Sequence, residues 1–330
     1  MENVKIAIID TGIDLSDNTI NKFIHFNRDI QIDKFELEYK SIDDINGHGT
    51  LCAKTIIKLC SNVDIYPIKI FDYKGQTSSL KLIDVLNKLL LTDIKIINIS
   101  ASSLNCSCIE EIHLVCKKLY EKGKIIVCSQ HNVGTNISSI PTRFNEVIGV
   151  RGIENISNDN DFLYNPYNEI QMCCNSKFHF VKFKDKVTDF GKNSRAAAVA
   201  SGIIANIVKV NNNINFKQLE YELMKRSIRN IANLNEFKLK KSSYSLSEYN
   251  IILKLVKIIN ENFSEISVNC NLLKKYDLFN NLTNIGRDNA YKFLTLINYE
   301  FSIDLNYNEI TIDELRYLDN VLNIITNKLH

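Results

Sequence analysis

Apolar positions follow two rhythms along the first two thirds of the chain. Short β-branched runs at 4–9, 63–70, 94–100, 124–129 and 146–151 predict strands. Between them, 50–60, 79–91 and 108–122 repeat apolar residues every three or four positions, which predicts helices. Strand and helix alternating in this way predict an α/β fold, a parallel sheet with helices on both faces. Such sheets gather their chemistry at the carboxyl ends of the strands. From about 231 to 247 the pattern lapses into a Lys- and Ser-rich stretch, and beyond it only helical periodicity remains, at 248–262, 288–301 and 311–327. The expected organisation is a domain over 1–235, a linker over 236–247, and a small all-α bundle over 248–330.

Composition narrows the class without naming a function. Hydrophobic residues make up 45% and charged residues 24%, as in an ordinary globular chain, so wholesale disorder is excluded. Forty Lys and Arg against 38 Asp and Glu leave a net charge of +2, too little to mark a nucleic-acid-binding surface. The first strand begins within three residues of Met1 with no signal peptide before it, and no run reaches the ~18 apolar residues of a membrane span. A cytoplasmic protein, bound to neither membrane nor nucleic acid, is the expectation. Nine cysteines in a chain without a secretion signal read as reduced thiols. The spacings Cys106/Cys108 and Cys173/Cys174 do not match a structural zinc site, and no acidic cluster has calcium-ligand spacing, so no metal or cofactor is expected.

Three short segments carry candidate chemistry. Asp10 ends the first strand in Ile9-Asp10-Thr11-Gly12; an acid there also suits magnesium, ribose or loop capping. His48 stands in Asn46-Gly47-His48-Gly49-Thr50 at a loop-to-helix junction, where a lone histidine is often structural. Ser194 opens a small-residue helix in Asn193-Ser194-Arg195-Ala196-Ala197-Ala198, where a serine could simply cap the helix. Together, in the order Asp, His, Ser, they follow the chain order of subtilisin's triad.

On these blocks, residues 3–230 resemble subtilisin-like serine peptidases. The resemblance implies a nucleophile at Ser194, a general base at His48 and an orienting carboxylate at Asp10. A fourth block, Val127-Cys128-Ser129-Gln130-His131-Asn132, matches the family's oxyanion-hole segment with Asn132 at the amide position, and Pro141 follows in the downstream loop. Ser100, Ala101 and Ser102 correspond to the strand that pairs with substrate, with Ser102 in place of a glycine beside the primary specificity pocket. This predicts a narrowed pocket, unless Ser102 is a strand residue turned away from the cleft. The stretch around the nucleophile departs from the family: Lys192-Asn193 replace Gly-Thr, Arg195 a Met, and Ala198 a Pro. A side chain at a positive-φ position 192 would cost about 1 kcal/mol. Secreted members carry a prodomain before the first strand; here the domain is expected to fold unaided.

The C-terminal segment, with Gly286-Arg287-Asp288-Asn289-Ala290 between two helical stretches, resembles acyl carrier proteins. Carriers place the phosphopantetheine-bearing serine where this chain has Asn289, which has no hydroxyl to esterify, so the arm is expected to be absent. Eleven acidic and 8 basic residues over 248–330 make the segment only mildly acidic. The combined expectation is an intracellular serine endopeptidase that cuts a peptide precursor, ribosomally made precursors included, with the carrier-like module docking substrate or a modifying enzyme. A catalytically silent scaffold that binds peptides or proteins is the alternative, motivated by Lys192-Asn193.

Overall fold

The computed structural model describes residues 2–26, 42–100, 102–103, 108–132, 139–156, 158–228 and 243–329. Two compact units emerge, one of Met1–Ser176 with Gly191–Asn235, the other of Lys177–Phe190 with Glu236–His330.

The first unit is built on a seven-stranded sheet. Its strands are β1 (Val4–Asp10), β2 (Val63–Lys69), β3 (Ile96–Ile99), β4 (Ile125–Ser129), β5 (Val147–Ile153), β6 (Phe162–Tyr164) and β7 (Met172–Asn175), in the order β2-β1-β3-β4-β5-β7-β6. All neighbours pair in parallel except the edge strand β6, antiparallel to β7. β3 and β4 are buried at every position and β1 at every position but Lys5, the uniform apolar pattern of strands covered on both faces. The chain leaves β1 toward β2 on one side and later returns to β3 on the other, so a crevice opens at their carboxyl ends. The register pairs Ile9 with Ile99 and so brings Asp10 level with Ser100.

The predicted helices form as α1 (His48–Leu59), α2 (Ser79–Leu89) and α3 (Ile109–Glu121). In α3 the buried set Ile112, Val115, Cys116 and Leu119 forms one stripe, with Glu110 and Glu111 in the first turn and Lys118 in the last, as the helix dipole favours. The 19-residue α4 (Lys192–Val210) is the central helix: Ala196, Ala197, Ala198, Val199 and Ala200 are all fully buried. Close approach of α4 to α1 depends on Gly202, whose Cβ would stand 2.7 Å from Leu59 Cβ. α5 (Phe216–Arg226) starts at a capping box of Asn215 and Gln218. Cys173 and Cys174 are neighbours on β7, so their side chains project from opposite faces of the sheet; Cys106 lies outside the described residues.

The described part of 248–330 holds helices, and the second unit adds to them a β-hairpin from outside the expected span. Strands β8 (His179–Phe183) and β9 (Lys186–Phe190) pair antiparallel and join α6 (Leu246–Asn262), α7 (Cys270–Lys275), α8 (Ala290–Phe301), α9 (Ile312–Arg316) and α10 (Leu318–Leu329). Phe180 from the hairpin is buried in the same core as Ile252, Leu255, Phe293, Ile297 and Leu322. Ile312 N–H donates to Phe178 O at 3.0 Å, and Arg287 pairs with Asp189 at 2.9 Å while lying 4.2 Å over the Phe178 ring. The helix expected over 311–327 is broken at Tyr317, which is extended. Arg316 O accepts instead from Leu278 N–H at 2.8 Å, which withdraws that carbonyl from helix propagation. Ser245 and Glu248 form a capping box, so α6 starts within the expected linker, whose residues 236–242 lie outside the described ones.

Candidate active site

Asp10, His48 and Ser194 arrive from three different elements. Asp10 ends β1 and is 2% exposed; Thr11 N–H donates to its Oδ1 at 2.8 Å. His48 opens α1, and its Nδ1 lies 2.8 and 2.9 Å from the two Asp10 carboxylate oxygens. A carboxylate only accepts, so Nδ1 carries the proton and Nε2 is left as the basic nitrogen of the neutral ring. Ser194 is the third residue of α4 rather than its cap, a place taken by Gly191. It is 8% exposed, and its hydroxyl donates to Ser100 O at 3.3 Å. All three line one cleft of about 400 Å³, together with Ser100, Ser102 and Asn132. Asn132 is exposed; Ser102 lies beyond the end of β3 and faces the cleft, and Ala101 lies outside the described residues.

The alignment of β1 with α1 depends on Asp44, a residue that sequence reasoning missed. Its carboxylate is fully buried and accepts four hydrogen bonds: Thr11 Oγ1 (2.9 Å), Gly47 N (2.7 Å), Thr50 N (2.9 Å) and Thr50 Oγ1 (2.8 Å). Two of these donors are backbone N–H groups at the amino end of α1, where no intrahelical acceptor exists. Thr11 Oγ1 in turn accepts from Gly49 N–H at 3.0 Å, closing the joint. Glycine is required at 49, because a Cβ there would meet Gly12 O at 2.3 Å and Asp10 Cβ at 3.1 Å. An acid four residues before a candidate histidine, in a segment about to start a helix, was the available signal.

Cys52, one turn into α1, also adjoins the triad candidates. Its Sγ donates to Asp10 Oδ2 at 3.6 Å and lies 3.2 Å from Ser100 Oγ, and Ser100 Oγ donates to Asn98 Oδ1 at 2.8 Å. Asn98 Nδ2 reaches Ser201 Oγ on α4 at 2.9 Å, so a chain of polar contacts runs along one face of the sheet from α1 to α4 beneath the cleft. Burial, reinforced by the Asp10 carboxylate, pushes the Cys52 thiol up. Among the described residues, Asp10, His48 and Cys52 are the one group with side-chain donors close enough together to hold a metal ion. An ion there would compete with the Nδ1–Asp10 hydrogen bonds and require a thiolate that burial opposes.

The departures around Ser194 each have a place. Lys192 takes the left-handed φ of 60° that glycine takes more cheaply. Arg195 is 3% exposed, donates to both Asp159 oxygens at 2.8 and 2.6 Å and to Asn175 O at 3.2 Å, and is thereby a buried ion pair. In the second unit, Asn289 Oδ1 accepts from Gly286 N–H at 2.8 Å and Nδ2 donates to Asn284 O at 2.9 Å, so its side chain closes the turn that starts α8.

Comparison with known proteins decides the family. The sequence model described as Peptidase S8, subtilase family, matches residues 1–247. The chain belongs to the subtilase family. It is 27% identical over 167 residues to the major intracellular serine protease of Bacillus subtilis (strain 168), an alignment covering 46% of this chain and 51% of that protein. The chain thus spans about half the length of the curated relative it matches. Among solved structures, a cold-adapted subtilisin-like serine proteinase superposes with a TM-score of 0.55 at 15% identity, covering 68% of this chain and 82% of the other. A lanthipeptide protease superposes with 0.55 at 20% identity, covering 67% and 79%. These likenesses establish the subtilisin-like fold: a mostly parallel sheet flanked by helices. No helix among the described residues is long and apolar enough to cross a membrane.

Burial by itself would push the His48 imidazole down; the Asp10 carboxylate, with Cys52 beside the ring, outweighs it and holds the group well above its ordinary value. A pKa raised on folding stabilises the fold in full below the unfolded value of about 6.5, and this stabilisation is lost as pH rises through the folded value. NMR titration of the His48 ring is therefore expected to give a midpoint above 6.5, brought down by Asp10→Asn; a midpoint at or below 6.5 in the parent contradicts the assignment. Asp44→Ala strands buried donors and is expected to cost about 3 kcal/mol, read from the urea midpoint.

Proposed function

We propose that the protein is a serine endopeptidase in which Ser194, His48 and Asp10 act as nucleophile, general base and orienting carboxylate. The observation that carries this reading is the His48 Nδ1 bracketed by both Asp10 oxygens, in a cleft that Ser194 also lines. Attack requires the Ser194 hydroxyl to turn from Ser100 O toward His48 Nε2. The nitrogen then takes the proton as Oγ bonds to the scissile carbonyl carbon. Negative charge develops on the carbonyl oxygen, where the Asn132 amide and the Ser194 N–H are the candidate donors; losing one such donor costs about 3 to 4 kcal/mol in comparable enzymes. Cationic His48, held by Asp10, returns the proton to the leaving amine as the C–N bond breaks, and water releases the acyl group by the same path in reverse.

The substrate in this reading is a peptide precursor, with Ser100, Ala101 and Ser102 along its backbone and the C-terminal unit docking the substrate or a modifying enzyme. Two features support it: a second unit appended to the peptidase domain, which can raise the effective concentration of a weakly held substrate, and a constricted cleft wall. Ser139 Oγ donates to Ser102 Oγ at 2.8 Å and accepts from His131 N–H at 3.0 Å, so side chains fill space beside the cleft where the family has glycine. The carrier resemblance of the second unit belongs to this reading too, with Asn289 in place of the arm-bearing serine.

A fluorophosphonate probe is expected to label Ser194, with labelling abolished in Ser194→Ala and at least 100-fold slower in His48→Ala. An unlabelled parent protein means a silent scaffold. Profiling with a peptide library is expected to favour alanine, glycine or serine before the cut, and a preference for Phe or Tyr there would remove the narrowed pocket.

A further inference from the structure

We propose that Asn193 is a positioning residue that sets the spacing between the two oxyanion donors, a role that rests on the peptidase reading above. Asn193 Oδ1 accepts from Gly152 N–H on β5 at 2.8 Å. Its Nδ2 donates to Gln130 O at 3.0 Å and to His131 O at 3.3 Å, just beyond the end of β4. One side chain thus joins the first turn of α4 to the ends of two neighbouring strands. The two donors it would align are each adjacent in sequence to an atom it controls: Ser194 follows Asn193 itself, and Asn132 follows His131.

The chemistry of the three partners selects an amide. Gly152 offers a proton and so needs an acceptor, whereas the two carbonyls need donors, so the reversed orientation of the amide would turn all three contacts repulsive. A threonine, usual in the family here, has one hydroxyl proton and cannot serve both carbonyls. An aspartate has none and would face both with negative charge. The approach itself is built into the backbone. A Cβ at Gly152 would stand 2.3 Å from Ser176 Cβ and 3.2 Å from Asn193 Oδ1, so only glycine lets β5 come this close. Lys192 N–H donates to Ser176 O at 2.9 Å, and its φ of 60° makes the turn into Asn193. Asn193 does not line the cleft, and its hydrogen bonds go to backbone groups of two strand ends, so it acts through the groups it holds and not by touching substrate. Donors displaced by even a fraction of an ångström forfeit stabilisation of the developing charge, and a shift of about 1 Å can cost on the order of 100-fold in rate.

The decisive experiment compares the full-length parent with Asn193→Asp, Asn193→Thr and Asn193→Ala by three readouts. Fluorophosphonate labelling of Ser194 is expected to slow about 10- to 100-fold in Asn193→Asp and less in Asn193→Thr, which keeps one donor, at temperatures where each variant is folded by circular dichroism. Hydrolysis of an alanine-containing tetrapeptide anilide is expected to lose kcat with KM within about twofold, as for a group used only in the transition state. Amide exchange at Gly152 is expected to speed at least tenfold in Asn193→Ala. Labelling within twofold of the parent in folded Asn193→Asp, or a rate that falls only with the folded fraction, overturns the role. So does unchanged Gly152 exchange, whether or not the parent is active. A parent whose Ser194 is never labelled removes the peptidase reading and this role with it, while Gly152 exchange still reports whether the tie exists.

Discussion

The joint between β1 and α1 is held by one buried anion, and the geometry of the cleft follows from it. A carboxylate removed from water is costly unless its lone pairs are met, and Asp44 meets that demand with four donors taken from Thr11, Gly47 and Thr50. Those donors sit on either side of the joint, so satisfying Asp44 brings the end of the strand and the start of the helix into a single arrangement. Asp10 is one residue before Thr11, and His48 is one residue after Gly47. Their contact at 2.8 Å is a consequence of that arrangement rather than an independent achievement. Gly12, at φ 116°, and Gly49 supply the remaining condition, since a Cβ at either would press on backbone oxygen at 2.3 Å.

The serine side is organised differently, by packing. A helix whose first half buries mainly alanine and other small residues can lie directly on the sheet, as α4 does. Its first turn then projects at the strand ends with nothing bulky to hold it away. The unusual residues around Ser194 fit this setting: Asn193 bonds to two strand ends, and Arg195 is neutralised by Asp159 below the turn. Lys192 alone adopts a conformation that its side chain disfavours, a cost of about 1 kcal/mol that the surrounding hydrogen bonds offset.

The second unit is assembled from two separate stretches of chain, the hairpin of β8 and β9 and the C-terminal helices. The chain leaves the first unit after Ser176 and re-enters it at Gly191, three residues before Ser194. Lys192 N–H to Ser176 O closes the neck of that excursion.

Periodicity alone was sufficient for the first five parallel strands and the three helices between them, because burial on both faces writes a continuous apolar run and one-sided burial writes a 3.6-residue stripe. Residue identity and order made Asp10, His48, Ser194 and Asn132 legible as candidates. The sequence could not disclose the four-donor role of Asp44 or the three-way tie of Asn193, since both depend on partners that become neighbours only when separate elements meet. The break at Tyr317 had the same origin: the helical pattern runs through it, and a hydrogen bond from distant Leu278 interrupts it. The hairpin eluded the pattern for a related reason. Phe180 on it joins a core whose other buried members begin more than 50 residues later, so only folding reveals which side of the chain it completes.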